Sequence, residues 1–422
     1  MKKGILPFLV FISFLSSSQS NNLQYFYSQA KEAYQAGDHP KFYEMIMQAH
    51  NLHPYHQGIL YQAGLAAALT NKPDESIQYL NQAIQINAEF DLSVNDLKSL
   101  ESRADFLKLK DLQKELLKPI IHSDTALVIK DRTLHLESIT AGESSGIFYL
   151  GSIHKRKIIK VDRQGNTTNF TSSAQDGLTS VFGVKIDLRK KVLWVCSSPM
   201  PEMENYDSTA RSAVYKYDIK TGKLIAKFYP DHPAKEFVFG DLALNNKGEV
   251  FVSDSKNNII FRANEANGKL EPFFTSEEFW NIQGLTFSPY GKYLFIADYI
   301  KGIFRLDVQE KRLTSVTPDF DLSTKSIDGL TYYNNSLIAI QNYITPMRVT
   351  RYFLNDVNDK LTHYEIIDRA HPAFNEPTIG CLSGQQFYYI ANSQWSGYDE
   401  QHSLKPLDQL QVVVILYSDL GE

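Results

Sequence analysis

The stretch NIQGLTFSPYGKYLFIAD, Asn281 to Asp298, constrains this chain more than any other part of it. Two β-rich runs flank Ser288-Pro289-Tyr290-Gly291, so the stretch reads as a hairpin closed by a tight turn. The same grammar recurs in LESITAGESSGIFYLGS from Leu136, FGVKIDLRKKVLWVCSS from Phe182, GDLALNNKGEVFVSDS from Gly240, DGLTYYNNSLIAIQN from Asp328 and EPTIGCLSGQQFYYIANS from Glu376. A lone hairpin is at best marginally stable in water. Copies spaced by roughly 40 to 55 residues, each followed by more strand-like sequence, bury their faces by stacking around an axis. The expectation is an all-β six-bladed propeller over residues 125–422. Its sixth unit ends in LQVVVILYS and lacks an outer strand, and TALVIKD, Thr125 to Asp131, is placed to supply it and close the ring.

The first twenty residues carry a basic start (Lys2, Lys3), an apolar run from Ile5 to Leu15 and a small polar finish. This is the pattern of a secretory signal peptide, and it predicts a secreted or periplasmic protein with no membrane span after cleavage. A formal charge of -5 and a pI near 6.1 leave no basic surplus for a nucleic-acid backbone. Cys196 and Cys381 fall in non-adjacent units, beyond the ~7 Å reach of a disulfide, and are read as buried thiols.

Residues 22–117 lack strand signals and read as helical. Two segments superpose with Ala49 on Ala83, an offset of 34 residues, with turns at Gly37-Asp38 and Lys72-Pro73-Asp74 and a small residue at Gly64. These features resemble tetratricopeptide repeats, capped by a further helix pair from Leu92 to Leu117. The resemblance implies a surface for a protein or peptide partner, or a brace for the second domain. Residues 118–124, with Pro119, read as a linker.

In a propeller the heads of the inner strands converge on the axis. Aligned by the turns, those positions are Glu137, Phe182, Gly240, Gln283, Asp328 and Glu376. Carboxylates facing one another in a confined channel repel, and a bound cation relieves that. The oxygen-only donor set of Glu137, Gln283, Asp328 and Glu376 favours Ca²⁺, with Zn²⁺, Mg²⁺ or Mn²⁺ as alternatives. Asp241 can join only if the strand register shifts, because neighbouring side chains point to opposite faces.

The hairpins GLTFSPYGKYLFIAD and DGLTYYNNSLIAI, with Glu137 at the head of the first unit, resemble the regucalcin/gluconolactonase-like (senescence-marker-protein-like) propellers, which include calcium-dependent lactonases. In that family a Glu, an Asn and an Asp opening the first, fourth and fifth blades hold the metal. The resemblance thereby assigns Glu137, Gln283 and Asp328 as ligands and Asp328 as general base. Gln283 stands where the family has Asn, and Gly240 stands where it has another Asn. The loops His154, 199–211, Asp254-Ser255, Asp298-Tyr299, Asn342-Tyr343 and Gln394-Trp395 would shape the pocket, with Trp395 and Tyr206 stacking on a substrate and Arg211 pairing with a carboxylate. The expected function is an exported metal-dependent hydrolase of lactones or related esters. Two alternatives stay open: a non-catalytic binding propeller with a helical adaptor, and a structural calcium module.

Overall fold

The computed structural model describes residues 17–143, 146–232, 234 and 236–421. The expected leader lies outside them, apart from its last four residues, which open the first helix. The chain divides into two compact units between Lys118 and Pro119.

The first unit is helical: α1 (Ser17–Gln35), α2 (His39–Leu52), α3 (Gln57–Leu69), α4 (Pro73–Ile86) and α5 (Ala104–Leu117), each packed on the next. The Asp38 carboxylate caps α2 by accepting the Lys41 N–H at 3.1 Å. Gly64 is required by packing, because a Cβ there would lie 2.6 Å from Leu80 Cγ; its absence lets α3 and α4 close together. The Ser76 hydroxyl then donates to the Gly64 carbonyl at 2.7 Å. Ala49 and Ala83 are both fully buried in the second helix of successive pairs. The first member of the expected terminal helix pair is instead a short 3-10 segment, Asn95–Leu100, which buries Leu97 and Leu100.

The second unit is a propeller-like assembly of antiparallel strands in three four-stranded sheets, one six-stranded sheet and one eight-stranded sheet. Each of the first five hairpins begins an up-and-down run of four strands. Two of these runs fuse into the eight-stranded sheet where Tyr229 and Pro230 pair in parallel with Lys269 and Leu270. The inner strands are Leu136–Ala141, Ser180–Asp187, Phe239–Leu244, Ile282–Phe287, Ile327–Tyr333 and Gly380–Ser383. Each touches the next, and the last touches the first. Apolar side chains fill the space between successive runs, as where Trp194 and Val192 meet Val250, Val252 and Phe239. Cys196 and Cys381 are buried, free, and in different clusters of this core.

The strand Asp124–Ile129 pairs antiparallel with Val413–Asp419, so the final sheet takes strands from both ends of the unit. The preceding segment departs from the expected linker. Ile120 and Ile121 pair with Arg369 and Asp368, and the Asp368 carboxylate accepts the backbone N–H groups of His122 and Ser123 at 3.0 and 3.2 Å. It also accepts the Ser123 hydroxyl and the Tyr389 hydroxyl, the latter at 2.6 Å. Replacing Asp368 by Ala strands four donors, three of them buried. The expected outcome is a loss of about 2–4 kcal/mol, read as a lowered denaturant midpoint, with Asp368→Asn costing less.

Candidate functional site

Five of the six inner strands share one irregularity, and the sixth pairs in regular register. Register shifts fall between Leu136 and Ser138, Val181 and Val184, Phe239 and Leu242, Ile282 and Leu285, and Ile327 and Gly329. Glu137, Phe182, Gly240, Gln283 and Asp328 all occupy these bulges. A bulge re-aims side chains and suspends strict alternation, which is how Gly240 and Asp241 come to share one. Asp241 is buried, its Oδ2 accepts the Leu285 N–H at 3.2 Å, and its charge is felt at Asp328. Glu376 lies ahead of the sixth inner strand at φ +61°, and its Oε2 accepts the Ser396 N–H at 3.2 Å.

Glu137 and Asp328 form the centre. Glu137 is buried and accepts the Ser393 hydroxyl and, at 3.2 Å, the Trp395 indole N–H, both on Oε2. Asp328 is half-buried and accepts Thr378 Oγ1 at 2.8 Å and Asn342 Nδ2 at 2.9 Å, both on Oδ2. Tyr299 donates to Asn342 Oδ1 at 2.7 Å, which fixes the orientation of that amide. The protein's donors thus engage one oxygen of each carboxyl. Burial, with the charge of Asp328, pushes Glu137 up to about 8. Burial, offset by the Thr378 hydrogen bond and reinforced by Asp241, pushes Asp328 up to about 6.

Gln283 and Gly240 turn out to be one feature. Gln283 Nε2 donates to Asn281 Oδ1 at 2.6 Å, and its Oε1 lies 2.8 Å from where a Cβ on residue 240 would sit. The longer arm of Gln283 therefore occupies the space that the missing side chain of Gly240 leaves open.

No family model matches this chain, and no curated protein does. Among solved structures, it is similar to the PQQ-bound aldose sugar dehydrogenase of Streptomyces coelicolor, at 12% identity over 72% of this chain and 98% of that one, TM-score 0.47. A gluconolactonase from Xanthomonas campestris is 11% identical over 71% of this chain and 97% of that one, TM-score 0.47. Virginiamycin B lyase from Staphylococcus aureus, in an inactive form with quinupristin, is 12% identical over 71% and 99%, TM-score 0.47. Similarity at this level carries no argument for a shared activity.

Of the expected pocket residues, Asn342 and Trp395 hydrogen-bond Asp328 and Glu137, and the charge of Asp241 is felt at Asp328. Asp298 has a different role. Its buried carboxylate accepts the N–H groups of Trp280, Asn281, Ile300 and Lys301 at 2.7–3.0 Å, so it organises two loops. Tyr206 is 48% exposed, and the exposed Arg211 lies over the Tyr229 ring, 4.5 Å from its centroid. Neither has a described contact with Glu137 or Asp328. His154 hydrogen-bonds the Glu202 carbonyl at 2.7 Å.

Sequence reasoning missed Thr378, Ser393, His135 and Tyr398, whereas Tyr299 lies in the flagged Asp298-Tyr299 loop. Thr378 lies two residues beyond the flagged Glu376, and Ser393 adjoins the flagged Gln394-Trp395, so proximity to those motifs was the available signal. His135 is buried at φ +43°, with Nδ1 2.8 Å from the Tyr398 hydroxyl and its ring perpendicular to Trp395 at 4.5 Å. Nothing local marks it.

Among the described residues, no group of three or more His, Cys, Asp or Glu side chains is arranged to hold a metal. Glu137 and Asp328 are oxygen donors lifted by burial, the donor chemistry that a hard cation takes.

Two measurements follow from this geometry. Gly240→Asn should lower the melting temperature by displacing the Gln283 amide, and adding Gln283→Asn should recover much of the loss; strictly additive effects would count against the shared-space account. The second concerns pH. Glu137 is held above its ordinary value, so its contribution to stability is complete below the usual glutamate range and is lost as pH rises through about 8. The melting temperature of metal-free protein should fall across that window, and Glu137→Gln should flatten the fall.

Proposed function

We propose that this protein is an exported hydrolase of lactones or related esters that uses a divalent cation, most suitably Ca²⁺. The second unit is read as a six-bladed propeller and the first as a tetratricopeptide-like pair of repeats with a cap. The observation that carries this reading is the pair Glu137 and Asp328: two carboxyls at the bulges of the first and fifth inner strands, with the charge of one raising the other. The ring of inner strands, each in contact with the next and the last with the first, supports the blade count. Export rests on the basic and apolar pattern of residues 1–20.

Glu137, Asp328 and Gln283 would hold the cation, with Glu376 and Asp241 adding negative charge nearby. When bound, such an ion polarises a carbonyl and stabilises the oxyanion that forms on attack. Asp328 is suited to deprotonate the attacking water, since burial holds its carboxyl above the usual aspartate range and makes it a stronger base. Thr378 and Asn342 both hold Asp328 Oδ2, which leaves Oδ1 to meet the water. The Trp395 indole, braced by His135 and bonded to Glu137, provides an aromatic wall for a substrate ring. A second reading, a non-catalytic binding propeller with a helical adaptor for a protein or peptide, is favoured by the lack of a compact three-carboxylate group among the described residues.

The test is hydrolysis of a panel of small lactones and esters with Ca²⁺, Zn²⁺, Mg²⁺ or Mn²⁺ added after chelation. Turnover should require metal and fall at least about 100-fold in Asp328→Asn, the range general-base loss gives. No turnover with any metal, alongside a normal melting curve, would reject the hydrolase in favour of the binding reading.

A further inference from the structure

The carboxylate ring contains a cation of its own. Lys185, on the second inner strand, places Nζ 3.9 Å from Asp241 Oδ1, and their side chains are 21% and 2% exposed. Asp241 Oδ1 is buried without a hydrogen-bond partner, while Oδ2 is taken by the Leu285 N–H. Gly183 leaves room beside that oxygen, since a Cβ there would lie 3.2 Å from it. Lys185 also reaches inward electrostatically, to Cys196 on the neighbouring strand and to Cys381 on the sixth inner strand. The charges of Asp241 and Glu376 are in turn both felt at Asp328. The ring therefore has two sides. On the Asp241 side a tethered ammonium faces the carboxylate; on the Glu137 and Asp328 side the donors among the described residues are neutral.

Removing a buried carboxylate's only counter-charge is costly, and a mobile divalent ion and a fixed ammonium compete for the same charge. We propose that Lys185 is a built-in counter-ion for Asp241 that competes with the divalent cation, confining it to the Glu137–Asp328 side and weakening its hold. This rests on the metal reading above and adds a residue that sets cation affinity.

The experiment is a calcium titration followed by thermal melting, on chelated wild type, Lys185→Met, Lys185→Arg, Asp241→Asn and the Lys185→Met/Asp241→Asn double variant. Before calcium is added, Lys185→Met should lower the melting temperature by several degrees and the double variant should regain most of it, since both charges then leave together. With calcium, the midpoint for Lys185→Met should fall at least about tenfold below wild type, because Asp241 becomes available to the ion. Lys185→Arg should keep the wild-type midpoint, and the double variant should lose the gain. Should Lys185→Met not fold, Lys185→Gln carries the same comparison. Equal midpoints for wild type and Lys185→Met, or additive effects in the metal-free cycle, would overturn the Lys185 proposal while leaving the metal reading intact. Failure of both proteins to respond to calcium, magnesium, manganese or zinc would overturn both.

Discussion

The pairing of Asp124–Ile129 with Val413–Asp419 is the contact on which the rest of the second unit depends. An array of strands left open would expose a row of unpaired N–H and C=O groups at each edge. Pairing the two ends gives the last sheet its fourth strand and ties the start of the unit to its finish, at an entropic cost that grows only logarithmically with the length of chain enclosed. Asp368 reinforces the closure by gathering the N–H groups of His122 and Ser123 and two hydroxyls onto one carboxylate. The functional consequence is direct. Glu137 belongs to the first hairpin, while its partners Ser393 and Trp395 and its neighbour Thr378 belong to the last, so closure completes the site.

Within the closed ring, the bulges do the aiming. A regular strand would send Glu137, Gln283 and Asp328 out by simple alternation and keep Asp241 on the other face. The extra residues in the inner strands break that rule in five places and allow adjacent residues into the same space. The result is a concentration of carboxyls that burial and mutual repulsion both oppose. Such a grouping lowers stability by itself, and its persistence depends on the surrounding donors, on Lys185 and on any cation the site takes up.

Much of this was legible in the residues and some was not, for identifiable reasons. Alternating apolar residues around turn signals announced the hairpins, and the count of strands after the last hairpin pointed to the closing strand. Asp298 carried the same local signature as Asn342, each at the end of a second strand. Only the fold separates them, since Asp298 meets four backbone donors and Asn342 meets Asp328. Gly240 and Gln283 looked like two independent departures from a pattern. In space they are a matched pair, because an added methylene in one fills the volume vacated by the other. The segment read as a linker is laced to Asp368, whose position near it follows from a strand far along the chain.

The sequence by itself determined the repeating strand and turn structure, the helical first unit and the identity of the residues at the head of each inner strand. These depend on side-chain period and turn chemistry within a few residues of one another. The tertiary structure alone decided that Thr378, Ser393 and Trp395 hold Asp328 and Glu137, that the charge of Asp241 is felt at Asp328, and that Lys185 faces Asp241. Those relations join residues from different strands, and a single bulge reverses which face a side chain takes. A rule of alternation read along the chain carries no information about where such a bulge falls.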